Sequence, residues 1–169
     1  MTVNTRKVSG RRKLRFESMA NLEEEIERLA TADVECLGNW SFGQIATHLA
    51  RVMLTAVDGS GFRPPLISSL FVFFFKPLVR KWLLEKGMPA GLSHKGIKGL
   101  GEVPKAKAMV ADSSVTTEEG IAELRTAIER YKSADKLHPH LAFGNVSRED
   151  WDRFHFRHAE LHLSFVVPK

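Results

Sequence analysis

Seven histidines lie along the chain: His48, His94, His138, His140, His155, His158 and His162. His158 and His162 stand four residues apart, the interval that stacks two side chains on one helix face. Together with His155 they fall within an arc of about 60° in helical projection. That arc borders an apolar stripe of Trp151, Phe154, Leu161 and Phe165, so these imidazoles face the edge of a core rather than open water. His48 falls between Ile45 and the pair Leu49 and Val52, again on an inward face. Neutral imidazole is the commonest protein ligand for Zn, Ni, Cu and Fe. Two histidines from one helix and one from a facing helix fix three corners of a site. The remaining positions are left for water or substrate, as in catalytic rather than structural zinc centres. Spacing alone does not decide the matter, because seven histidines in 169 residues yield roughly 0.3 such pairs by accident. The alternative is a set of structural histidines satisfied by backbone or water. His155 has three readings: a further ligand, a support for a ligand, or a surface residue. His94, in a lysine-rich stretch, reads as solvated.

Helices must hold these residues in place. Asn21, with an acid three residues on, reads as the N-cap of a short helix running through Leu22, Ile26 and Leu29 to about Ala32. Ser41 and Gln44 form a capping-box pattern ahead of a helix that carries His48 and ends at Gly59. A third helix is expected between Pro64-Pro65 and Gly87, with Pro77 dividing or kinking it. Residues 87–114 are rich in Gly, Pro and Lys and read as a long irregular connection, a length that usually signals function or mobility. Thr116 and Glu119 cap a fourth helix with an inward stripe of Ile121, Leu124, Ile128 and Tyr131. Ser147 caps the last helix, expected to end near Pro168. No stretch shows sustained strand alternation, and no repeat is evident. The expected architecture is all-α: an up-and-down four-helix bundle with a short extra N-terminal helix and one long crossing loop.

The net charge of +5 is local. Residues 1–15 hold six basic groups and no acid, leaving 19 basic against 20 acidic groups in the rest. Residues 1–14 therefore read as a basic, flexible arm on a single helical domain spanning 15–169. The body has no matching basic excess, which argues against nucleic acid as a partner. Cys36 is the sole cysteine, so no intramolecular disulfide can form, and it reads as ordinary packing. The acids at Glu17 and Glu23 to Glu25 follow the basic start where a signal peptide needs an apolar stretch, so a cytoplasmic protein is expected. Residues 66–75 (LISSLFVFFF) are strongly apolar but too few to span a bilayer, which takes about 20 residues. They read as a buried helix, or as an interfacial one flanked by Arg63, Lys76, Arg80 and Lys81.

The stretch Trp40-Ser41-Phe42-Gly43-Gln44-Ile45-Ala46-Thr47-His48-Leu49 resembles the second-helix signature of DinB-like proteins, W-S-x-x-Q-x-x-x-H-L. His138-Pro139 through Phe143-Gly144, then Ser147 to Trp151 and His158 to Leu163, resemble the last-helix signature of the same group. With Arg12-Lys13-Leu14-Arg15-Phe16 ahead of them, the two patterns are most similar to the DUF1569 branch, over nearly the whole chain. The resemblance implies a four-helix bundle whose metal, often Zn or Ni, is held by His48, His158 and His162. Where many relatives place a glutamine after the last histidine, this chain has Leu163, Ser164 and Phe165. The group includes transferases and an isomerase that use a low-molecular-weight thiol, so such a transferase, with a small-molecule substrate, is the leading expectation. A metal-dependent hydrolase comes second. A non-enzymatic bundle contacting a partner or a membrane surface is the rival class, and a homodimer is compatible with either. No acid flanks His48, and Glu160 projects about 160° from His162 in helical projection, so no general base is evident.

Overall fold

Hydroxyl side chains open the helices. The computed structural model describes residues 2–60, 77–90, 109–140 and 143–169. Helix α1 (Met19–Ala30) starts from Ser18, whose hydroxyl accepts the Asn21 N–H at 3.2 Å. The cap is therefore Ser18 rather than Asn21, and the helix both begins and ends earlier than its apolar spacing suggests. The connection to the next helix contains a short strand, β1 (Val34–Cys36). Helix α2 (Phe42–Asp58) has the expected capping box: Ser41 accepts the Gln44 N–H, and the Gln44 side chain accepts the Ser41 N–H. Residues 77–86 are helical and form α3. Helix α4 (Thr117–Ser133) repeats the capping box with Thr116 and Glu119, and α5 (Arg148–Leu163) is capped by Ser147.

Helices α2 and α4 approach each other through glycine. A Cβ on Gly120 would stand 2.3 Å from the Gly43 carbonyl oxygen, and one on Gly43 would stand 2.3 Å from the Thr116 carbonyl oxygen. No larger residue fits either position without moving backbone, so this contact fixes where α2 begins. Around it Leu22, Ile26, Ile45, Leu49, Leu124, Ile128, Trp151 and Leu163 pack into one apolar core drawn from α1, α2, α4 and α5.

The all-α expectation is corrected by a small antiparallel sheet. Strand β2 (Val166–Pro168) pairs with β1, Val34 opposite Pro168 and Cys36 opposite Val166. Helix α5 accordingly stops at Leu163, not near Pro168. Two three-residue strands are too short for alternation to register in sequence, and the β-branched Val166 and Val167 favour the extended pairing over another helical turn. The architecture is thus mostly helical with a two-stranded sheet.

The basic N-terminal segment is tied down at Val3, Arg11 and Arg12 rather than swinging free throughout; Val3 exchanges two hydrogen bonds with the Asn39 side chain. Arg12 donates to the carbonyls of Val166 (2.6 Å) and Leu163 (3.0 Å) and pairs with Glu25 at 2.6 Å. Arg11 reaches the Ser164 hydroxyl at 2.7 Å and covers the Phe165 ring. Guanidinium groups meet the carbonyls left unpaired at the C-terminal end of a helix, where the dipole favours cations. Leu78, Val79 and Trp82 of α3 are exposed. The apolar run 66–75, the first part of the expected third helix and most of the 87–114 connection lie outside the described residues. Among the described residues no helix is long and apolar enough to cross a membrane.

Candidate metal centre

Three imidazole nitrogens converge where α2 meets the C-terminal half of α5. His48 Nε2 stands 3.2 Å from His158 Nε2, which stands 3.0 Å from His162 Nε2. The ligand atoms of all three lie within 4.8 Å of one another. His158 is buried, while His48 and His162 keep part of their side chains accessible. The i, i+4 spacing on α5 places two of these side chains on one face with their rings edge-on, and the capped start of α2 brings the third against them.

The proton on His48 is assigned by its neighbour. His48 Nδ1 lies 2.8 Å from the carbonyl oxygen of Met109, which can only accept, so Nδ1 carries the hydrogen and Nε2 presents a lone pair. That lone pair faces His158. A single Nε2 offers either one hydrogen or one in-plane lone pair, so His158 cannot make full hydrogen bonds to both neighbours. A cation among the three would satisfy all of them. The two contacts also approach the edge of a tetrahedron with metal–nitrogen bonds of 2.0–2.1 Å, about 3.3–3.4 Å. An imidazole whose second nitrogen donates to a backbone carbonyl is the usual arrangement of a metal-bound histidine.

Electrostatics act in the same direction. Burial holds the pKa of His48 below the ordinary imidazole range, and that of His158 and His162 well below it. For His158 the neighbouring His162 and His48 depress it further, and for His162 His48 and Arg11 do so. All three are therefore neutral near pH 7, the form that binds metals. Aromatic rings line the cluster. Trp40 stacks on His162 at 5.5 Å and 8° and leans on His48 at 5.0 Å. Phe154 stacks on His158 at 5.8 Å.

Among the described residues the metal-competent group contains no carboxylate. Glu160 instead accepts the Phe16 N–H at 2.6 Å and pairs with Arg157 at 3.3 Å. His155 is separate from the cluster: its ring stacks on Trp151 and meets Tyr131 edge-on, and its Nε2 is buried without a partner. Burial pushes the Cys36 thiol up, away from a reactive thiolate. A cleft of 450 Å³ lined by Arg15, Glu17, Leu84, Glu85, Arg153, Phe156 and Arg157 shares no residue with the histidines. Sequence reasoning anticipated the three histidines but gave no role to Trp40 or to the Met109 carbonyl. Trp40 stands in the same short motif as His48, whereas a backbone carbonyl has no residue-type signal.

Fold and cluster together define a mostly helical protein with a convergent, neutral three-histidine group. A family model described as "Protein of unknown function (DUF1569)" matches residues 8–169, and the chain belongs to this family. No curated protein and no solved structure matches the chain.

Proposed function

We propose that this chain is a divalent-metal-binding protein of the DinB-like type, with the four-helix bundle which that type implies. His48, His158 and His162 hold the ion, with Zn or Ni the best suited to three imidazoles. The observation that carries this reading is the convergence of three Nε2 atoms, one with its lone pair exposed by the Met109 carbonyl. A divalent cation with three imidazole ligands keeps open positions and lowers the pKa of a water or thiol bound there. Among the described residues no carboxylate joins the group as a base, and on that ground a transferase using a low-molecular-weight thiol is favoured over a hydrolase. Trp40 and Phe154 give the surroundings an aromatic character suited to a small, partly apolar substrate.

The test is elemental analysis of wild type and His158→Ala after expression with added Zn and Ni, followed by thiol consumption assays with a panel of electrophiles. Near-stoichiometric metal in the wild type and almost none in the variant is expected, with thiol consumed only by the loaded protein. A wild type that stays metal-free after reconstitution overturns the metal reading; a loaded protein that consumes no thiol overturns the transferase reading alone.

A second reading draws on α3, where Leu78, Val79 and Trp82 are exposed beside the exposed Lys81. This is the pattern of a non-enzymatic bundle touching an anionic membrane surface. Co-sedimentation with anionic vesicles supports it, and its absence removes it.

A further inference from the structure

One face of α2 grips three consecutive carbonyls of the chain leading into α4. His48 Nδ1 donates to the Met109 carbonyl at 2.8 Å, Arg51 Nη1 to the Val110 carbonyl at 3.1 Å, and Gln44 Nε2 to the Ala111 carbonyl at 3.3 Å. Positions 44, 48 and 51 stand at i, i+4 and i+7, within about 60° of one another on the helix. Arg51 also faces Glu123 of α4 at 3.5 Å, so it spans both neighbours of the clamped segment. Gln44 has two tasks at once: its oxygen closes the capping box of α2 and its amide nitrogen holds Ala111.

Resting on the three-histidine reading, we propose that Gln44 and Arg51 are positioning residues for His48. They act through the backbone. By fixing residues 109–111 against α2 they aim the Met109 carbonyl at His48 Nδ1. That bond selects the tautomer whose Nε2 lone pair faces His158 and His162. Without the two outer donors, the Met109 carbonyl is free to shift, and His48 can place its hydrogen on Nε2, where it blocks the site. Gln44 is thus required for a reason beyond helix capping, a job glutamate performs as well.

That equivalence supplies the test. Gln44→Glu keeps the capping acceptor but replaces the donor to Ala111 with a carboxylate oxygen. Arg51→Met removes the second donor, and Arg51→Lys restores one. Two readouts are taken on the full chain: the His48 tautomer by ¹⁵N NMR of the metal-free protein, and Co(II) affinity with its visible absorption spectrum. Circular dichroism checks that the helices persist. In wild type His48 is expected as the Nδ1–H form. Gln44→Glu and Arg51→Met lose that preference and bind Co(II) about ten- to a hundredfold more weakly, with an altered spectrum, and Arg51→Lys recovers part of both. An unchanged tautomer in Gln44→Glu and Arg51→Met overturns the proposal. So does an unchanged Co(II) affinity in a variant whose tautomer has moved. If wild type takes up no Co(II) while the tautomer still follows Gln44 and Arg51, the positioning stands and the metal reading alone fails.

Discussion

Two groups of histidines meet at α5, and they differ in what their nitrogens meet. His158 and His162 turn their Nε2 atoms toward His48 and toward each other. His155, one turn earlier, and His140, from the loop before the helix, are buried, yet they are packed as aromatic rings. His155 stacks on Trp151, and His140 lies between Phe143, Trp151 and Phe154 while its Nδ1 accepts the Phe143 N–H. Burial pushes His155 down to about 3, with His140 adding to it. His155 is therefore neutral near pH 7, as the three convergent imidazoles are. Convergence of three Nε2 atoms, with an orienting carbonyl behind one of them, is what separates the candidate metal centre from a histidine-rich core.

The sharpest way to break this comparison is to exchange the outcomes. His155→Phe is expected to retain the full complement of metal that His158→Ala loses; loss in both variants would merge the two groups into one site. Next in size is Gly120→Ala, which drives a methyl into the Gly43 carbonyl and should cost about 3 kcal/mol in urea denaturation. Because it pushes on the start of α2 and not on α5, it should also weaken metal uptake through His48 while leaving the His155 packing intact, visible in the Trp151 near-ultraviolet signal. The smallest effect concerns pH. The unfolded imidazole of His155 titrates near 6.5 and the folded one near 3, so above pH 6.5 neither state is protonated and the full stability is present. As pH falls below 6.5 the unfolded chain takes up the proton first, and stability is lost until the folded pKa is reached. His155→Phe removes this contribution. In metal-free protein it should be about 2 kcal/mol more stable relative to wild type at pH 5 than at pH 7, measured by urea denaturation at the two values. An identical difference at both pH values would mean that His155 takes up its proton as readily in the fold as in the unfolded chain.

The helix caps were legible wherever a hydroxyl stood three residues ahead of Gln44, Glu119 or Asp150, because the residue types alone specify those hydrogen bonds. Asn21 misled because it resembles a cap, while Ser18 stands in the capping position and Asn21 supplies the N–H. The two strands were invisible: three residues cannot display a period of two, and their pairing partner lies 132 residues away in sequence, as Glu35 against Val167 shows. His48, His158 and His162 could be picked out from helical phase and from the motif around His48. His155 occupies the same arc, and phase could not exclude it; its neighbours Trp151 and Tyr131 did, by enclosing its ring. The clamp on residues 109–111 was unreadable because its acceptors are backbone carbonyls.

The miniature sheet has a consequence for which changes in length the molecule tolerates. Only Leu163, Ser164 and Phe165 separate His162 from β2, and Leu37 to Ser41, with Trp40 among them, separate β1 from α2. These connectors are measuring rods. The Leu37 N–H donates to the Phe165 carbonyl at 2.9 Å, joining the two rods side by side. One added residue in either must slide a strand by about 3.3 Å or rotate a helix by about 100°. Neither is absorbed by imidazoles held 3.0–3.2 Å apart. The connectors thus act on the site through their length as well as through residues such as Trp40 and Ser41: an insertion or deletion in either is expected to pull the imidazoles out of register.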